Sequence, residues 1–166
     1  LYCPQVDTPE HAYEIIQFAK YTPLGLRGMG GASSGNDFDL SMPLKERLKF
    51  TNDQVFITVM FESQQAFDNI DEITSIDGID AITLGYQDLS QDLGVLGSDD
   101  QDKIIDEKRY ELLNAAKKYG KTCSMLVNSP SQAKQWRDAG VLLLNYSSDV
   151  SVLMEGYKSA IQTIKK

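Results

Sequence analysis

Short apolar runs alternate along the chain with longer stretches whose apolar residues recur every three or four positions. Val55 to Phe61, Ala81 to Leu84, Thr122 to Val127 and Val141 to Tyr146 are almost continuously apolar or β-branched, which reads as strands buried on both faces. Each is followed by helical spacing: Gln64 to Ile76, Asp102 to Tyr119, Pro130 to Ala139 and Val150 to Ile164. The first residues repeat the scheme. Leu1 to Val6 is a strand closed by Pro4. A helix then starts with Asp7 or Thr8 as N-cap, Pro9 in the first turn and Glu10 on the positive end of the dipole, and runs to about Lys20 on a stripe of Ala12, Ile15, Ile16 and Ala19. Gly78, Gly120 and Gly140 stand where helices should end in a left-handed residue.

Five strand–helix units in strict alternation predict an α/β fold with a parallel sheet, in one domain over residues 1–166. A complete (β/α)₈ barrel takes about 250 residues, so five units make about five-eighths of one. An open doubly wound sheet of five strands fits the same pattern. The alternation is interrupted once, by Thr22 to Asp39, which holds Pro23, five glycines, Ser33, Ser34, Asn36 and Asp37. This reads as a loop, either structured near a ligand through Arg27 or exposed on the surface; it lacks the spacing of a nucleotide fingerprint. Leu44 to Phe50 reads as a short helix with Lys45, Arg47 and Lys49 on a solvated face.

Charge narrows the partners. With 16 Lys and Arg against 24 Asp and Glu, the net charge is −8, which disfavours nucleic acid and anionic membranes. No apolar run approaches the roughly 20 residues that span a bilayer. Cys3 and Cys123 sit singly in strand-like runs, as buried thiols of a reducing, cytoplasmic compartment would. The chain begins at Leu1, directly in a strand, as though upstream sequence had been removed.

The first polar groups after the strands are Gln5 and Asp7, Glu62 and Ser63, Gln87 and Asp88, Asn128 and Ser129, and Ser147, Ser148 and Asp149. Ligands bind at this end of parallel strands. The set is rich in oxygen and poor in nitrogen and sulfur, which suits Mg²⁺ or Mn²⁺ better than zinc. Glu62 and Asp88, at the exits of adjacent strands, are the candidate metal ligands; helix capping is the plainer role for either acid. His11, the only histidine, reads as a solvated helix residue, and Lys121 precedes its strand, at the opposite end.

Val59-Met60-Phe61-Glu62, Gly85-Tyr86-Gln87-Asp88-Leu89-Ser90 with Asp92-Leu93-Gly94, and Leu26-Arg27-Gly28-Met29-Gly30 resemble the HpcH/HpaI aldolase family of metal-dependent pyruvate aldolases. The likeness runs over essentially the whole chain. It implies a TIM (β/α)₈ barrel of the phosphoenolpyruvate/pyruvate type, of which these residues are the last five units. It also implies reversible aldol cleavage of a 2-keto-hydroxy acid to pyruvate and an aldehyde. Glu62 and Asp88 match the family's metal ligands, for Mg²⁺ or Mn²⁺ with Co²⁺ as a further option, and the amides of Gln87 and Asp88 would help hold the pyruvate carboxylate. Homo-oligomers, trimers or hexamers, are implied too, with the last helix exchanged between subunits. The sequence departs from the family pattern at Met60, at Tyr86-Gln87 and at Ser147, where the family has Gln, Pro-Ala and Gly. The family's general base and pyruvate-binding arginine belong to strands upstream of Leu1. A citramalyl- or malyl-CoA-type lyase and a non-catalytic 2-keto acid-binding remnant are the alternatives.

Overall fold

The computed structural model describes residues 1–32 and 38–165; the loop readings placed on residues 33–37 lie outside the described residues. Contacts group the chain into two compact units, Leu1–Cys123 and Ser124–Lys166.

In the first unit, β1 (Tyr2–Cys3) pairs in parallel with β2 (Thr58–Phe61), and β2 with β3 (Ala81–Leu84), Phe61 standing opposite Leu84. All four residues of β3 and three of the four in β2 are buried, as strands covered on both faces require. β1 is shorter than the apolar run because Pro4 has no N–H for the ladder and Gln5 turns to φ 55°. Six helices belong to this unit among the described residues: α1 (Pro9–Ala19), α2 (Leu44–Gln54), α3 (Gln64–Asp68), α4 (Ile70–Thr74), α5 (Tyr86–Asp92) and α6 (Gln101–Tyr119). Ile57, Val59, Phe61, Ile73, Ile82, Leu89, Ile105 and Leu112 form its core, each side chain stabilising by about 1.5–3 kcal/mol on burial.

Of the two cap candidates for α1, Thr8 is the cap, its side chain accepting from the His11 N–H. Ala12, Ile16 and Ala19 are buried, while Ile15 is partly exposed, so the stripe is one residue narrower than expected. α2 extends to Gln54 and shortens the strand that follows, because the α1 and α2 C-termini are locked together. Buried Lys20 donates its Nζ to the carbonyls of Asn52 (2.7 Å) and Val55, and the Asn52 amide bonds both the N–H (2.7 Å) and the carbonyl (3.0 Å) of Tyr21. The expected single helix Gln64 to Ile76 is broken at Asn69, whose side chain donates to the Asp7 carbonyl at 2.8 Å. After β3 the chain first forms α5, ahead of the long helix expected from Asp102, and a turn follows with Gly94 and Gly97 at φ 68° and 77°.

In the second unit, β4 (Thr122–Val127), whose first two residues belong to the first unit, pairs in parallel with β5 (Leu143–Tyr146). α7 (Pro130–Ala139) is capped by Ser129, ends at left-handed Gly140 and buries Trp136 completely. α8 (Asp149–Ile164) is capped by Ser148. None of its described residues is buried, and Val150, Leu153, Tyr157 and Ile161 leave an exposed apolar stripe at helical spacing. Among the described residues no helix is long and apolar enough to cross a membrane.

Candidate functional site

Glu62 and Asp88 are both in the first unit, at the C-terminal ends of paired strands. Glu62 directly follows β2 and is only 7% exposed. Gly85 directly follows β3, and its N–H donates to the Phe61 carbonyl at 3.1 Å, which carries the register one step past the strands. Asp88 lies in the first turn of α5, exposed like Gln87. Neither acid is an N-cap: Ser63 caps α3, accepting from the Ala66 N–H at 3.0 Å, and Gly85 occupies the cap position of α5. The capping role that competed with ligation therefore falls to other residues.

The environment of Glu62 is anionic and buried. Burial pushes its carboxyl above the ordinary carboxylate range; the Asp88 charge raises it further and Asp7 adds to this, while a hydrogen bond from the Gln5 backbone opposes them. That N–H is presented by left-handed Gln5, which gives the irregular end of β1 a chemical role. Glu62 also lies across Gly85: a Cβ built there would be 3.0 Å from the Glu62 Cδ and Cγ and 3.1 Å from Oε1. Gly85 has φ −87° and ψ 102°, which any residue adopts, so glycine is required by this close approach and not by backbone conformation.

A buried carboxylate whose ionised form is disfavoured by burial and by a neighbouring acid fits a hard cation, and the oxygen-only donors suit Mg²⁺ or Mn²⁺. Among the described residues no three His, Cys, Asp or Glu side chains surround one point, so a cation on Glu62 and Asp88 would complete its shell with water and substrate oxygens.

Gln5 and Asp7 thus act on the pair, whereas Arg27, Lys121 and His11 of the same unit have other surroundings. Arg27 stacks on the Tyr21 ring, 4.8 Å from its centroid, where the loop folds back on α1 through Leu26 N–H to Gln17 O and Arg27 N–H to Lys20 O. Lys121 donates to the Ile76 carbonyl at 2.9 Å. His11 is exposed on α1. Ser129 and Ser148 cap helices, and Asp149 accepts from the adjacent Val150 N–H. Sequence reasoning passed over Gly85, whose part in accommodating Glu62 has no signal beyond its place after an apolar run, and Asp92, which accepts from the Gln64 N–H at 2.7 Å.

Parallel strands with an acidic pair at their C-terminal ends are the arrangement of an α/β fold that takes its ligand where the strands end. The chain belongs to the HpcH/HpaI aldolase/citrate lyase family, whose model matches residues 1–155. It is similar to a hydroxypyruvate/pyruvate aldolase of Roseovarius nubinhibens, 28% identical over 166 residues, and to a 5-keto-4-deoxy-D-glucarate aldolase of Citrobacter koseri, 29% identical over 164 residues. These matches cover 100% and 98% of the chain and 62% of each relative. Among solved structures it superposes on an HpcH/HpaI aldolase from Desulfitobacterium hafniense with a TM-score of 0.89 at 31% identity, over 99% of this chain and 63% of that one. The α/β barrel reading from the strand count thus stands against the open sheet, with the chain as a partial (β/α)₈ barrel. It spans under two thirds of the length of these relatives.

Proposed function

We propose that the chain belongs to a divalent-cation-dependent carbon–carbon lyase that reversibly cleaves a 2-keto-hydroxy acid to pyruvate and an aldehyde. Residues 1–166 would form one domain and supply the last five units of its barrel. Family membership and the aldolase names of the relatives support this reading. The observation that carries it is the buried Glu62 carboxylate, laid across Gly85 and within electrostatic reach of Asp88.

Glu62 and Asp88 would hold the cation, Mg²⁺ or Mn²⁺. When bound, it would supply Lewis-acid polarisation of the keto acid's oxygens. The first-turn amides of α5, at Gln87 and Asp88, have no intrahelical acceptor and lie at the positive end of the helix, so they would orient the substrate carboxylate. Burial around Glu62 keeps water from one side of the pair. The general base and a carboxylate-binding arginine would come from barrel strands that these residues do not span. The exposed apolar stripe of α8 supports a homo-oligomer, trimer or hexamer, and the two free thiols fit a reducing cytoplasm.

The test is Asp88→Ala in the full-length protein, assayed for pyruvate release with added Mg²⁺ or Mn²⁺. The reading expects cleavage to be abolished with the fold retained; full activity would overturn it. Binding of a 2-keto acid by the unmodified protein without turnover would instead favour a non-catalytic binder.

A further inference from the structure

The short helix α5 touches two neighbours with two different faces, and each face uses residues four apart. Tyr86 and Ser90 meet the first turn of α6: the Tyr86 hydroxyl donates to Asp102 at 2.7 Å, and the Ser90 Oγ accepts from the Gln101 Nε2 at 3.1 Å. Ser90 also donates back to the Tyr86 carbonyl, Gln101 accepts from the Gly97 N–H, and Arg109 lies 5.5 Å from the centre of the Tyr86 ring. Asp88 and Asp92 face the exit of β2. Asp88 acts on the Glu62 carboxyl, and two residues further along that exit the Gln64 N–H donates to the Asp92 Oδ2. Positions i and i+4 on a helix are surface neighbours, so one rigid turn presents both carboxylates to residues 62 and 64.

The β2 exit is also held from the other side. The Ser63 hydroxyl donates to Asp7, whose carbonyl receives the Asn69 side chain. Residues 63 and 64 are thereby tied to the β1 exit through Asp7 and to α5 through Asp92. The Asp92 bond joins the Asp88 face of α5 directly to the backbone following Glu62.

We propose that Asp92 is a positioning residue for the Glu62–Asp88 pair: by accepting the Gln64 N–H it fixes the register of α5 against the β2 exit, and so the separation at which the two acids share a cation. This rests on the cation reading above. It needs an acceptor at position 92, not a charge there, because the bond is a single N–H donated to one oxygen. Asn supplies that acceptor; Ala does not.

The experiment uses the full-length protein with Asp92→Asn and Asp92→Ala, the first keeping the acceptor and the second removing it. Mn²⁺ affinity is read by calorimetry, and amide hydrogen exchange across α5 is followed without metal. The expectation is a roughly 10–100-fold loss of Mn²⁺ affinity in Asp92→Ala, with Asp92→Asn within about threefold of the parent, less than the tenfold that 1.4 kcal/mol represents. Exchange in α5 should quicken in Asp92→Ala and not in Asp92→Asn. Equal losses in Asn and Ala would show that charge matters and overturn the proposal, as would an Asp92→Ala that matches the parent in both readouts. If the unmodified protein fails to bind Mn²⁺, the cation reading falls, while the metal-free exchange still decides whether Asp92 fixes α5.

Discussion

Replacing Gly85 by alanine isolates the contact on which the acidic site is built. The backbone at Gly85 tolerates alanine, so the new methyl acts mainly through Glu62, whose Cδ and Cγ it would meet at 3.0 Å. Carbon atoms pack best at about 3.5–4.0 Å, so Glu62 must give way by a few tenths of an ångström. Forcing its side chain off a rotamer costs about 0.5–1.5 kcal/mol. Against this, a glycine-to-alanine change on a permissive backbone stabilises by about 0.4–1 kcal/mol through the unfolded state. The net change in urea stability is then small, within about 1 kcal/mol. Cation affinity should not be spared, because disturbing the surroundings of a metal ligand typically costs about 10–100-fold. Glu62→Ala removes the obstruction, so in that background Gly85→Ala should become stabilising by about 0.4–1 kcal/mol. Urea titrations of the four proteins, with Mn²⁺ calorimetry of the parent and of Gly85→Ala, provide the numbers. Unchanged Mn²⁺ affinity in Gly85→Ala, or the same stability effect with and without the Glu62 side chain, would refute the reasoning.

Other consequences concern charge, burial and thiols. The Glu62 carboxyl is raised in the folded state, chiefly by burial and then by Asp88, so the native protein holds its proton to higher pH than the unfolded chain does. Its contribution to stability therefore falls as pH rises from the unfolded to the folded value, and Glu62→Gln should stabilise the metal-free protein above that window but not below it; a urea midpoint equally shifted at both ends would contradict this. Lys20→Met should cost about 1–3 kcal/mol by leaving the Asn52 and Val55 carbonyls without their buried donor, and a change below about 0.5 kcal/mol in denaturant would show that water replaces the amine. Burial pushes the Cys123 thiol up to about 12 and raises half-buried Cys3 to an extent that still leaves it the more accessible of the two. Mass spectrometry after mild alkylation should find label on Cys3 first, with Cys123 reacting only in denaturant; early labelling of Cys123 would count against its burial.

How far the sequence could be read depended on whether the signal was local. The buried strands were visible because both faces are covered, leaving β2 and β3 as unbroken apolar runs. Gly78, Gly120 and Gly140 have positive φ as their places after helices required. What local pattern could not supply was set by distant partners. Asn69 breaks a helix by reaching the Asp7 carbonyl 62 positions away, and Lys20 prolongs α2 from 35 positions away. No helix is predicted between Leu84 and Asp102, where five of the seven α5 residues are polar, yet Leu89 is fully buried and polar groups on two sides make specific bonds. In the site, both acids were legible as the first charges after strands. That Ser63 and Gly85 hold the cap positions, and that Glu62 needs the space over Gly85, follows only from the fold.

The most direct measurement is anomalous diffraction from crystals of the full-length protein soaked in Mn²⁺. The account predicts a single strong peak with carboxylate oxygens of both Glu62 and Asp88 at about 2.0–2.3 Å, the distance of hard divalent cations from oxygen. A peak that touches only one of the two, or that lies away from the ends of β2 and β3, would contradict it.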